Sequence, residues 1–349
     1  MQPIHVACTF DRAMAIPALV LAWSIKQAMK PGRQIVFHAI ACEDDAIPSD
    51  AQRLLNSEFF DFRPVRAPTS ALFDADLSQS IVASHATLVR VDLPEIIPEP
   101  DRILYLDCDI IVRRPLDALF DLNMDGRVMA ASADYLLMEL TAGSGAPQSK
   151  FAKHVASLVS DPLGYFNAGV LLIDCAKWRG GGYSAQLRSL LLSPKTKFLF
   201  ADQDALNFVF QTDYKRLDPR WNAFAYHPKP IKDEEVAAIA ASCETDPWIT
   251  HFVGGTKPWI KHQTQTPQHD EFWRMAKSSP FYEQMTRLSD AVSLGPIPML
   301  RRAASRKVAE FLMTASRHLY FFEAQVRLRP DVSRSIFNAA ENMYQKEIN

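Results

Sequence analysis

Leu104-Tyr105-Leu106-Asp107-Cys108-Asp109-Ile110-Ile111-Val112 is an apolar run broken at its centre by two carboxylates one residue apart. Arg102–Leu106 has the length and composition of a buried strand. A strand that stops at Asp-x-Asp sets two acidic groups on a sheet edge, where a hard divalent cation can bind. A cation held there can in turn hold a diphosphate.

The residues before this stretch alternate between strand and helix signals. Ile4–Thr9, Gln34–Ala41 and Phe60–Val65 read as strands. Ala18–Met29 reads as a helix stopped by Pro31-Gly32, Asp50–Leu55 as a helix start, and Val82–Leu93 as a helix that carries Arg90. After the stretch, Arg127–Ala133, Phe166–Ile173 and Trp248–Val253 read as strands. Asp202–Phe210 reads as a helix, and Thr141–Pro147 as a loop near the site. Such alternation predicts parallel pairing in a doubly wound sheet, with ligands beyond the carboxyl ends of the strands. Thr9 and Asp107 stand at two such ends.

A chain of 349 residues can bury a large core in one α/β domain with an extension. A net charge of −2 creates no global field toward nucleic acid, which is not an expected partner. The five cysteines, with no CxxC, predict buried free thiols in a reducing compartment and no zinc site. Neither a secretory signal nor a membrane-length apolar run is visible, so a cytoplasmic location is expected.

The expected division is a catalytic domain over residues 1–279 and an extension over 280–349. Within the extension, Pro298–Pro330 carries seven Lys and Arg residues against Glu310 and Glu323. A basic amphipathic helix there can lie on the anionic inner face of a membrane. A helix packed on the main domain with a solvated basic face fits the same pattern.

Four further constellations bear on the two aspartates. Tyr165-Phe166-Asn167-Ala168-Gly169 places an amide and a glycine before an apolar strand; Gly169 allows close backbone approach to a ligand and Asn167 can bond a sugar hydroxyl. Ala201-Asp202-Gln203-Asp204 opens a helix; capping accounts for its acids but not for Gln203. His251-Phe252-Val253-Gly254-Gly255-Thr256-Lys257 offers an imidazole ligand, glycine amides and a cation suited to a diphosphate. Arg90 lies in an apolar stretch and needs an anion or a carboxylate if buried.

These residues together resemble glycosyltransferase family 8, a retaining family with the GT-A fold: an α/β, Rossmann-like, mostly parallel mixed sheet flanked by helices. The matching blocks are ALVLAWSIKQ, HATLVRVDLPEIIP, RILYLDCDIIV, YFNAGVLLIDCAKW, DQDALN, RWN and HFVGGTKPW, in the family's order over roughly residues 4 to 275. The resemblance implies that Asp107, Asp109 and His251 bind Mn²⁺, with Mg²⁺ as the alternative. It implies a UDP-sugar donor, its diphosphate held by Gly254 and Lys257 and its uridine by Ala7, Thr9 and Asp11, with Asp107 and Cys108 also in the donor-binding set. Arg90, Asn167 and Ala168 then contact the donor, while Gln203, Asp202 and Asp134 are the expected catalytic residues around the reacting sugar. Where family members often stack a tyrosine on the uracil, this chain has Met14, which packs less rigidly.

The implied reaction moves a hexose, glucose or galactose favoured, to a hydroxyl of a saccharide or glycolipid acceptor such as lipopolysaccharide. Retention allows a double displacement through a nucleophile or attack on the same face as the departing UDP. Gln203 is a poor nucleophile, which favours same-face attack. Two other readings compete. A nucleotidyltransferase usually has a glycine-rich loop after its first strand, and Ala7–Ala15 contains no glycine. A non-catalytic UDP-sugar-binding protein would be expected to show broken motifs, and the matched ones are intact.

Overall fold

Ten strands form among the described residues, the longer ones mostly from runs rich in Val, Ile, Leu and Phe: β1 (Ile4–Phe10), β2 (Ile35–Ala41), β3 (Phe60–Arg66), β4 (Arg102–Leu106), β5 (Ile110–Val112), β6 (Met129–Ala133), β7 (Phe166–Asp174), β8 (Lys215–Arg216), β9 (Ala223–Phe224) and β10 (Ile249–His251). The structure is a computed structural model that describes residues 2–293, apart from 78–79, 81–83, 143–149, 162–163, 226–230, 256 and 262–265.

Seven strands form one sheet in the order β3-β2-β1-β4-β7-β6-β8, and three form a second in the order β5-β10-β9. Ile103, Leu104, Tyr105 and Leu106 of β4 are almost wholly buried, as a central strand covered on both faces must be. Burying each such side chain contributes roughly 1.5–3 kcal/mol. One face packs on the helix Ala15–Ala28 through Val6, Leu19, Leu104 and Leu172. The other packs Tyr105, Leu171 and Trp178 against Leu88, Leu187 and Leu206.

The pairing departs from an all-parallel sheet. β3, β2, β1 and β4 run parallel, but β7 runs antiparallel to both β4 and β6. This reversal matters for the site. Because β7 points the other way, its first residues, not its last, lie beside the carboxyl ends of β4 and β6. Asn167, Ala168 and Gly169 therefore arrive next to Asp107 and Asp134.

Three element expectations are corrected. The helix expected from Ala18 begins at Ala15, since Pro17 falls in the first turn, where its missing N–H costs nothing. The helix expected over Val82–Leu93 is instead a 3-10 helix over His85–Asp92, followed by one α-turn over Leu93–Ile96. In place of a loop starting at Thr141, that residue and Ala142 close the helix Tyr135–Ala142. Residues 143–149 lie outside the described residues.

The helix Tyr282–Ser293 packs on the main domain, burying Met285 with Val20, Ile111 and Phe272. The basic segment 298–330 lies outside the described residues. All five cysteines are free thiols, and no described helix is long and apolar enough to cross a membrane.

Candidate active site

The two aspartates lie at the junction of the two sheets. Asp107 leaves β4, its N–H donating to the Gly169 carbonyl at 2.8 Å. Asp109 enters β5, which pairs antiparallel with β10 so that Ile110 faces His251. That register carries His251, from 142 positions along the chain, to the carboxylates. Its Nε2 lies 3.3 Å from Asp109 Oδ1 and 3.7 Å from Asp107 Oδ2. The three ligand atoms lie within 4.8 Å of one another. Two hard carboxylates and an imidazole at this spacing fit a divalent cation.

Gly169 makes this convergence sterically feasible. A Cβ there would stand 2.2 Å from His251 Cε1 and 2.8 Å from Asp107 Oδ2. The expectation at Gly169 is close approach to a ligand; the neighbours its missing side chain makes room for are His251 and Asp107.

Lys257 ion-pairs with Asp109 and also donates to the Phe252 carbonyl at 2.6 Å. Burial alone would raise the Asp109 pKa, but Lys257 and His251 hold it well below the usual carboxylate range. Gly254, three residues before Lys257, has φ 72°, a left-handed turn natural to glycine.

Arg90 is buried and finds carboxylates on two sides. Its Nη2 lies 3.0 Å from Asp107 Oδ1 and its Nε 2.7 Å from Asp202 Oδ2. Its N–H groups donate to the carbonyls of Ala168 at 2.5 Å and Thr87 at 3.0 Å, and the guanidinium sits 4.6 Å from the Tyr105 ring centre. Burial opposes its charge, yet Asp107 and Asp202 raise its pKa further. Burial pushes the Asp202 carboxyl up to about 6, against the pull of Arg90. Asp202 Oδ2, close to the guanidinium, accepts no well-aligned hydrogen bond.

Gln203 and Asp134 face each other across the start of β7. Gln203 Oε1 accepts from the Ala168 N–H at 3.0 Å, and its Nε2 donates to Asp134 Oδ2 at 3.2 Å. Asp134 also accepts from Asn167 Nδ2 at 3.2 Å and from the Leu137 N–H at 3.2 Å. Burial raises the Asp134 pKa despite these bonds.

The remaining expected residues lie on and just beyond β1 and between the two aspartates. Ala7 and Thr9 lie on the face of β1 that meets Tyr105; Ala7 is fully buried, and Thr9 Oγ1 lies 3.2 Å from the Tyr105 hydroxyl. Asp11 accepts from the Met14 N–H at 3.1 Å and from Ser84 Oγ at 2.7 Å. The Cys108 side chain turns into the opposite core, so only its backbone is on the aspartate side. Met14 is half-buried against both adjoining cores.

Several neighbours were given no site role from the sequence. Tyr105 donates its hydroxyl to Asp107 Oδ1 at 2.6 Å. Tyr165 donates to Asp204 at 2.5 Å, and Asp204 also accepts from the Phe200 N–H at 2.9 Å. Asn222 bonds both Asn167 and His251. Tyr105, on β4 two residues before Asp107, was open to a pleat argument; Asn222 lay within the quoted RWN block but without a role.

The sequence pattern described as glycosyl transferase family 8 matches residues 5–263. General stress protein A of Bacillus subtilis is 30% identical over 204 residues, 56% of this chain and 66% of that protein. Lipopolysaccharide 1,2-glucosyltransferase of Escherichia coli is 28% identical over 164 residues, 46% of this chain and 45% of that protein. The alignments thus span about two thirds and less than half of these two relatives. The crystal structure of the galactosyltransferase LgtC, solved with donor and acceptor sugar analogues, superposes with a TM-score of 0.63 at 24% identity. That match covers 79% of this chain and 96% of LgtC, and it shows a shared GT-A fold.

Proposed function

The chain belongs to glycosyl transferase family 8, and from that premise we propose that it moves a hexose from a UDP-sugar to a hydroxyl of a saccharide or glycolipid acceptor, with retention at the anomeric carbon. One observation carries the reading. The Asp107–Asp109–His251 cluster, with Lys257 at its side, shares a wall with Gln203, Asp134 and Asn167 at the start of β7.

A divalent cation, Mn²⁺ before Mg²⁺, would be held by Asp107, Asp109 and His251 and supplies, when bound, positive charge to the diphosphate. Lys257 adds a fixed charge where that of the leaving UDP builds. Thr9, Asp11 and the backbone of Cys108 face the nucleoside. Arg90 holds Asp107 in place and is itself held by Asp202, while Gln203 and Asn167 contact the hexose.

The surroundings of the two inner acids support same-face attack. Asp202 is 1% exposed and close against Arg90, and Asp134 is 6% exposed with three donors on it. Neither carboxylate is free to form a covalent glycosyl intermediate.

Glucose and galactose are the favoured hexoses, and a lipopolysaccharide-like acceptor is in keeping with the name of the Escherichia coli relative. The proposed division is a catalytic domain over 1–279 and an extension over 280–349, with contact of residues 298–330 with the inner face of a membrane resting on their basic sequence.

Thermal-shift titration with UDP-glucose, UDP-galactose, UDP-N-acetylglucosamine and UDP-xylose, each with and without Mn²⁺, tests the donor. A ligand at a hundredfold its Kd stabilises by about 2.7 kcal/mol, so no acceptor is needed. Mn²⁺-dependent stabilisation by UDP-glucose or UDP-galactose is expected. No shift with any of the four would contradict the reading.

A further inference from the structure

A directed hydrogen-bond chain runs from the backbone of β7 to His251, and each proton in it has one consistent placement. The Gly169 N–H donates to Asn167 Oδ1 at 2.9 Å. A backbone N–H can only donate, so the atom facing it is oxygen, and Asn167 Nδ2 is the group that reaches Asp134. Asn222 meets the same Asn167 oxygen at 2.9 Å, so it must present its Nδ2 there. Its other atom, Oδ1, then faces His251 Nδ1 at 2.8 Å. An amide oxygen only accepts, so Nδ1 must carry a proton. In the neutral imidazole the lone pair is left on Nε2, the nitrogen that faces Asp109 and Asp107.

We infer that Asn222 is a positioning residue: it fixes the His251 tautomer so that Nε2 is ready to ligate a divalent cation. The inference rests on the reading of Asp107, Asp109 and His251 as a metal centre. Asn222 and His251 are buried, at 0% and 3% exposure, so no solvent competes for the Nδ1 proton. The Phe224 ring flanks the histidine nearly at right angles, with 6.0 Å between the ring centres. Asn222 closes the short 3-10 turn Pro219–Asn222, whose start is capped by Asp218. The amide is therefore set by the backbone at one end and by Asn167 at the other. A partner on the far nitrogen of a histidine ligand is worth about 10- to 100-fold in metal affinity.

NMR of metal-free wild-type protein carrying isotope-labelled histidine, with His251→Gln used for assignment, reads the tautomer directly. The proton is expected on Nδ1; a neutral ring with its proton on Nε2 overturns the inference. Electron paramagnetic resonance titration with Mn²⁺ alone then compares variants without any turnover. Asn222→Ala is expected to weaken binding about 10- to 100-fold. Asn222→Asp keeps an acceptor opposite Nδ1 but loses the donor to Asn167 Oδ1, so it is expected to bind more tightly than Asn222→Ala while recovering only part of the loss.

Wild-type affinity in Asn222→Ala, or equal loss in both folded variants, overturns the inference by reducing Asn222 to packing. Should Asn222→Ala fail to fold, the wild-type tautomer still decides. If the wild type binds no Mn²⁺, the metal reading fails, which is distinct from a wrong tautomer in a protein that does bind it.

Discussion

Gly169 and His251 claim the same space: a methyl group on residue 169 would stand 2.2 Å from the imidazole Cε1. Gly169→Ala must therefore displace the ring or β7, at an overpacking cost of about 1–3 kcal/mol. The same substitution crowds Asp107 Oδ2 at 2.8 Å. Mn²⁺ affinity should fall about 10- to 100-fold in a protein that still folds, as read by titration and by Tm. Wild-type affinity would show that the cluster tolerates the methyl group and that the close approach has no consequence.

Arg90 lies between Asp107 and Asp202, and Asp202 has no solvent to turn to. Arg90→Ala leaves a buried carboxylate without its cation and should destabilise the fold by about 3–5 kcal/mol in urea denaturation. Arg90→Lys keeps the charge but cannot reach both carboxylates and two carbonyls from one ammonium, so it should recover only part of the loss. Stability close to wild type in Arg90→Ala would refute the buried-pair account.

Ala201 starts the helix that carries Asp202 and Gln203, with φ 46° and ψ −113°. The Gln203 N–H bonds the Phe200 carbonyl at 3.0 Å, so residues 200–203 form a type II′ turn with alanine where glycine is preferred. Ala201→Gly relieves that strain and loses one buried methyl group. The net expectation is a gain of up to about 1 kcal/mol by thermal denaturation. A loss larger than that would mean the conformation is not strained.

Asp202 makes stability pH-dependent in a defined direction. Its pKa is raised from 3.8 to about 6, so between those values the folded state binds more protons than the unfolded state. The stability it contributes is fully present below about pH 4 and is lost as pH rises through about 6. Two pKa units correspond to roughly 3 kcal/mol. The stability difference between wild type and Asp202→Asn should therefore move against the wild type across this window. A flat difference from pH 4 to 7 would contradict the assignment.

Much of the sheet was legible because its strands are short, apolar and bounded by turns; β1, β2, β3 and β4 lie within one residue of the expected ranges. The reversal of β7 was not, since a strand buried on both faces reads the same in either direction. Nor was the second sheet, which splits Leu106 from Ile110 at the aspartates themselves. His85–Asp92 was legible as a helix but not as a 3-10 helix, because short apolar repeats suit either kind and its Ser84 cap serves both. Asp107, Asp109 and His251 were foreseen as one cluster through the resemblance, and β5 pairing with β10 is the physical reason they meet. Asn222 received no role because its partners lie 55 and 29 residues away, a distance that local pattern cannot bridge.

UDP release from UDP-glucose or UDP-galactose, followed against Mn²⁺ concentration in wild type and Asp109→Asn, tests the central claim most directly. The account predicts Mn²⁺-dependent release in the wild type and loss of most of it in the variant, with the far-UV circular dichroism of both unchanged. Release that ignores Mn²⁺, or wild-type turnover in Asp109→Asn, would contradict it.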